Sequence, residues 1–145
     1  MLLLTGCAHA TMPVPYIEDS LRSLREDTVA FYDSVIAHAG DAGCEYSNNV
    51  AFWTKSKSAL FVLGYRVRAR PEDAIMVAPL DELKETFRLY EVAYQTAEAH
   101  PAPTPEIGQN AKCLPPQLAA MNSTVIEDGI DNLVRLQSLR KELAK

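Results

Sequence analysis

The sequence predicts an all-α protein, an antiparallel up-down-up-down four-helix bundle. Three observations lead there. Apolar residues return at alternating steps of three and four in four separate stretches, which places them on one face of a helix. Proline- and glycine-bearing breaks separate the stretches. No run alternates with the period of two that a strand needs, and no Asn-Gly hairpin turn occurs. At 145 residues the chain fits one domain with a real core.

At the N-terminus, Met1-Leu2-Leu3 leads into Leu4-Thr5-Gly6-Cys7. An aliphatic residue, two small ones and a cysteine resemble the lipobox of bacterial lipoproteins. That resemblance implies cleavage before Cys7 and acylation of the cysteine with diacylglycerol and, usually, a further fatty acid such as palmitate. Residues 1–6 then read as the remnant of a signal peptide, shorter than a full leader and without its basic start. Two or three acyl chains, at about 0.8 kcal/mol per buried methylene, anchor a domain stably. Ala8, in place of aspartate, resembles the outer-membrane sorting class. The expected address is therefore the cell envelope, on the periplasmic face of the outer membrane. Residues 7–16 read as the lipidated end and an extended tether, with Pro13 and Pro15 disfavouring helix. The bundle should occupy 17–145.

The first helix is expected from about Ile17 to Ala39. Ile17, Leu21, Leu24, Thr28, Phe31, Val35 and His38 form its seam, and Tyr32 and Ile36 widen it. Gly40 to Gly43 stop it, with glycine available for a left-handed turn. The second runs from about Glu45 to Arg70 on Tyr46, Val50, Trp53, Leu60, Leu63 and Val67, with Lys57 at a seam position, its stem packed and its ammonium reaching water. Pro71 ends it. After a connector to Ala78, the third helix opens at Pro79 and carries Leu80, Leu83, Phe87, Tyr90, Tyr94 and Ala97. Pro101, Pro103 and Pro105 keep it from continuing past His100. The fourth restarts near Pro115 and Pro116, with Leu118, Met121, Val125, Ile126, Ile130, Leu133, Leu136 and Leu139 as its buried face.

In such a bundle the first and third connections lie at one end. Cys44 and Cys113, which close those connections, should meet there, away from the anchored N-terminus. An oxidising periplasm favours a disulfide between them. The bond would close a loop of about 70 residues and contribute about 3–4 kcal/mol in the chain-entropy model. His38 and His100 converge on the same end, so a Cys2His2 metal site of His38, Cys44, His100 and Cys113 is the alternative. The tight paired spacings of zinc sites are missing, and a histidine at a helix C-terminus is favoured by the dipole alone. The expectation is the disulfide, with no metal and no cofactor.

Arg66, Arg68, Arg70, Arg135, Arg140, Lys141 and Lys145 should gather at the opposite pole. A lipid-headgroup role is one reading. Helix dipoles, with Glu18, Asp19, Asp81 and Glu82 as counter-charges, account for the cluster better.

A net charge of −5 and a pI near 5.2 argue against nucleic acid as a partner. The chain lacks the Glu-x-x-His pair of di-iron bundles, a Cys-x-x-Cys-His haem motif, a glycine-rich phosphate loop and a Gly-x-Ser-x-Gly nucleophile. It therefore reads as a non-catalytic protein-interaction or assembly factor. Its general build resembles the small helical lipoproteins that pilot secretins, in architecture alone. The alternatives are a small-molecule binder, using an interhelical pocket near Trp53, Gly64, Tyr90 and Gly129, and a periplasmic inhibitor or immunity-type protein.

Overall fold

The computed structural model describes residues 15–105 and 112–143, and the lipobox with Cys7 lies outside them. Four helices account for nearly all of the described chain: α1 (Pro15–Ala37), α2 (Tyr46–Arg68), α3 (Val77–Ala99) and α4 (Pro116–Leu143). Short 3-10 turns at Ala42–Cys44 and Pro71–Met76 precede α2 and α3. No β-strand occurs among the described residues. The all-α expectation holds, with helix ends within two residues of the periodicity. The starts of α1 and α3 are the exceptions in detail: Tyr16, assigned to the tether, belongs to the first turn of α1, and α3 begins at Val77.

Each helix backbone lies beside two neighbours, α1 by α2 and α4, α3 by α2 and α4, while the diagonal pair α1 and α3 meets through core side chains such as Phe31 and Tyr94. Polar contacts give the directions. Lys141 at the end of α4 pairs with Glu18 at the start of α1 at 2.8 Å. Arg68 at the end of α2 pairs with Asp81 near the start of α3. Tyr46, which opens α2, donates to Glu91 late in α3 at 3.0 Å. This is the neighbour pattern of an up-down-up-down bundle.

The two inner cysteines meet at one pole. Cys44 and Cys113 form a disulfide with Cα atoms 5.5 Å apart, joining positions 69 residues distant in sequence. Local chemistry prepares the site. Gly40 takes a positive φ of 92°, the left-handed turn that glycine adopts without a Cβ clash. The Asp41 carboxylate then accepts from the Gly43 N–H at 2.6 Å and caps the turn that carries Cys44. Asn49 donates to the Gly43 and Glu45 carbonyls, and the buried Tyr94 hydroxyl donates to the Cys44 carbonyl at 2.8 Å.

The core changes character along the axis. Near the disulfide it is aromatic: Phe31, Trp53 and Tyr94 pack mostly edge-on or tilted, while Phe31 and Phe52 stack with centroids 3.9 Å apart. Toward the other pole it is aliphatic, with Leu21, Leu60, Leu63, Val67, Leu80, Ile130 and Leu133 buried. Each such side chain contributes about 1.5–3 kcal/mol by leaving water.

Helix α4 departs from its predicted face. The buried stripe runs through Ala119, Asn122, Ile126, Ile130, Leu133 and Gln137. Leu118, Met121, Val125 and Leu139 stand exposed. Aliphatic residues cover a broad arc of this helix, so periodicity alone does not choose the angle. Packing chooses it: Gly129 admits the Leu83 methyl of α3, and Asn122 faces the Tyr32 hydroxyl. The predicted face of α2 also shifts slightly, with Val50 exposed and Ser56 buried in the seam.

The far pole holds an ionic clasp. Asp73, in the turn before α3, is fully buried and pairs with Arg140 of α4. Arg70 Nε stands 3.4 Å from its second oxygen. Of the expected counter-charges, Glu18 and Asp81 take up Lys141 and Arg68, whereas Asp19 pairs with Arg22 of its own helix.

Two outcomes follow from the poles. Replacing Cys44 and Cys113 by alanine should lower stability by about 4 kcal/mol in the chain-entropy model, read as a drop in the urea midpoint. Wild type with a reductant should show the same drop, and the alanine variant should ignore the reductant. At the other pole, Asp73→Ala strands the Arg140 guanidinium, while Arg70 keeps Glu72, and should cost about 3 kcal/mol. The isosteric apolar pair Asp73→Leu with Arg140→Met should cost clearly less in the same urea titration.

Candidate functional site

The disulfide pole uses both inner sulfurs for each other, so neither is a thiolate ligand. His38 Nδ1 lies 3.1 Å from Asp41, and together the His38 ring and the Gly43 N–H hold the exposed Asp41 carboxyl below its ordinary range. His100 closes α3 as an exposed cap whose N–H donates to Thr96. No group of three or more metal-ligating side chains assembles among the described residues.

The four residues of the expected pocket do not meet. Trp53 and Gly64 share α2 but stand about 16 Å apart along its axis. Trp53 belongs to the aromatic core, against Phe31 and Phe87. The space beside Gly64 is filled by the Lys84 ammonium, and that beside Gly129 by Leu83. Successive residues of α3 therefore occupy both glycine notches, one toward α2 and the other toward α4. The glycines serve close helix approach at one level. Tyr90 is half-buried at the edge of the core, where burial pushes its phenol up from the ordinary value.

Polar side chains inside the bundle are mostly engaged. The Glu91 carboxylate is nearly buried and accepts from both Tyr46 and Lys57, the latter at 2.8 Å, which ties α3 to α2. Lys57, expected to snorkel from the seam, ends on this carboxylate. Burial raises the Tyr32 and Tyr94 phenols well above their usual range. On the α2–α3 face, Arg68 donates to both oxygens of Asp81 at 2.5 and 2.6 Å and lowers that carboxyl.

The surface feature that periodicity missed lies on α4. Leu118, Met121 and Val125, at spacings of three and four, make one exposed stripe, with Met121 64% exposed. Leu89 and Val92 of α3 are exposed too, but at 100° per residue they point away from Leu83, the α3 residue that meets α4 at Gly129. No charged residue occurs from Cys113 to Ile126. An apolar stripe of α4 free of charge thus faces solvent near the disulfide pole. Phe61 and Tyr65 are more exposed still, but Lys57, Lys84 and Arg88 surround Phe61.

No family model, curated protein or solved structure matches this chain. Its function must therefore be argued from its own residues. The signal for the apolar band was present in the 14-residue charge-free run from Cys113 to Ile126. Helical periodicity hides that signal, because it places Leu118, Met121 and Val125 in the core. No described helix is long and apolar enough to cross a membrane.

The filled notch at Gly64 has a direct consequence. Gly64→Ala should raise stability by about 0.5–1 kcal/mol, since alanine favours a helix interior and the flexible end of Lys84 can slide aside. A rise in the urea midpoint at constant slope would establish it.

Proposed function

We propose that this chain is a lipid-anchored envelope lipoprotein whose bundle works as a non-catalytic protein-interaction or assembly factor. The single observation that carries the interaction reading is the uncharged apolar stripe formed by Leu118, Met121 and Val125 on α4. Contiguous apolar surface without charge is the hallmark of an interface centre, where charged residues are depleted and methionine is enriched. The address rests on the lipobox resemblance at Leu4-Thr5-Gly6-Cys7. In this reading the anchor leaves from the pole where α1 begins. The disulfide pole and the apolar band then project toward the periplasm, within reach of a partner. A small-molecule binder has less support, because side chains of α3 occupy both glycine notches. An inhibitor or immunity-type protein would use the same band and differs only in its partner.

Two measurements in the native cell test this. Cys7→Ala should move the protein from the membrane to the soluble fraction and abolish incorporation of labelled palmitate. A photo-crosslinker at Met121 should capture one discrete partner, and the same group at Arg22 should not. With the crosslinker still at Met121, Val125→Asp should remove that adduct while leaving the melting curve within about 0.5 kcal/mol of the parent, as expected of a surface substitution. Equal capture at both positions, or none at Met121, would sink the interaction reading.

A further inference from the structure

A second surface, on α1 and α2, has different chemistry. Helices α1 and α2 make the sparsest contact of the four neighbouring pairs. Stacked groups hold them apart at two heights. Near the start of α1, the Arg66 guanidinium lies over the Tyr16 ring at 3.4 Å. Toward the disulfide pole, Phe31 and Phe52 stack with planes 7° apart. Between them lies an open hollow of about 510 Å³, and a second of about 370 Å³ continues it along the same pair. Asp27 and Lys55 border both hollows and bridge the groove with an ion pair of 2.7 Å. From Tyr16 to Ser34 the groove follows about 27 Å of helix, so it suits a chain better than a compact molecule.

The lining is rich in hydroxyls. Ser20, Ser23, Ser56 and Ser58 border the larger hollow. Ser56 lines this hollow and is only 2% exposed. Several hydroxyls elsewhere in the bundle are used up by their own helices: Thr28, Thr86, Thr96, Thr124 and Ser138 each donate to the carbonyl four residues back. The Ser56 oxygen is not closed off from the hollow, so a ligand group seated there can both donate to it and accept from it. One Arg66 nitrogen, beside the Tyr16 platform, is buried without a hydrogen-bond partner among the described residues.

We propose that the α1–α2 groove binds a neutral, hydroxyl-rich oligosaccharide, with Tyr16 as the aromatic platform and the four serines as its hydrogen-bonding wall. The charges favour a neutral ligand. The charged residues that line the hollows are paired, Lys55 with Asp27 and Asp19 with Arg22, and the Arg66 cation is turned onto the Tyr16 ring. An extended peptide would find no sheet edge to join, and a peptide helix would find serine where it needs apolar pockets. A sugar presents apolar C–H faces to Leu24, Ala59 and Val62 and hydroxyls to the serines.

Saturation-transfer NMR on the purified 145-residue chain tests the assignment, using cellotetraose, maltotetraose and chitotetraose as probes. The expected result is saturable binding of at least one, the chitotetraose arm telling whether N-acetyl groups are required. Amide shifts on wild type should cluster at Ser20, Ser23, Ser56 and Ser58 and spare the apolar stripe of α4. The exposed double substitution Ser23→Leu with Ser58→Leu should weaken binding by about tenfold or more, with an unchanged melting curve. A serine-glycine decapeptide supplies the polypeptide comparison. Failure of all three sugars to bind would overturn the proposal. So would shifts that fall elsewhere, unchanged affinity in the double variant, or binding of the decapeptide alone.

Discussion

The bond between Cys44 and Cys113 is the constraint on which the rest of the architecture depends. It ties the connection before α2 to the connection before α4, so each helical hairpin is held to the other at one pole. The surrounding groups are arranged for it. Gly40 turns the chain, Asp41 caps the short turn, and Tyr94 reaches from α3 to hold the Cys44 carbonyl. At the far pole no covalent link exists, and the buried Asp73 with Arg140 and Arg70 joins the α2–α3 turn to the end of α4. The aromatic and aliphatic layers pack between two fastened ends.

Within that frame, polar residues decide how the helices rotate. Thr28, Ser56, Glu91, Asn122 and Gln137 are all buried, one or more on every helix. Thr28 satisfies its hydroxyl on its own helix, and Glu91 takes Tyr46 and Lys57 as partners. On α4, turning Asn122 and Gln137 inward leaves Leu118, Met121 and Val125 outside. Buried polar groups of this kind favour one arrangement over others that would bury more hydrocarbon. The exposed apolar band is thus a direct consequence of what α4 buries.

The bundle consequently presents two unlike faces. Near the disulfide pole α4 exposes an apolar, uncharged stripe, suited to a protein partner whose burial releases water. Across α1 and α2 it is grooved and lined with hydroxyls, held open by ring stacking and one ion pair. These faces lie on different helices, so occupation of one leaves the other accessible.

Much was legible in the chain before folding. Heptad-like spacing located four helices, because an amphipathic helix must repeat near 3.6 residues to bury one side. Prolines and glycines marked their ends, since each acts on the local backbone alone. The pairing of Cys44 with Cys113 followed from counting connections between antiparallel helices. What the chain could not reveal was rotation about each helix axis. Leu118, Met121 and Val125 are as hydrophobic as the residues α4 buries, and the choice between them rests on Leu83 meeting Gly129 and Asn122 meeting Tyr32. The Asp73 clasp and the α1–α2 groove were hidden for the same reason. Each depends on side chains far apart in sequence, whose distances exist only once the helices have packed.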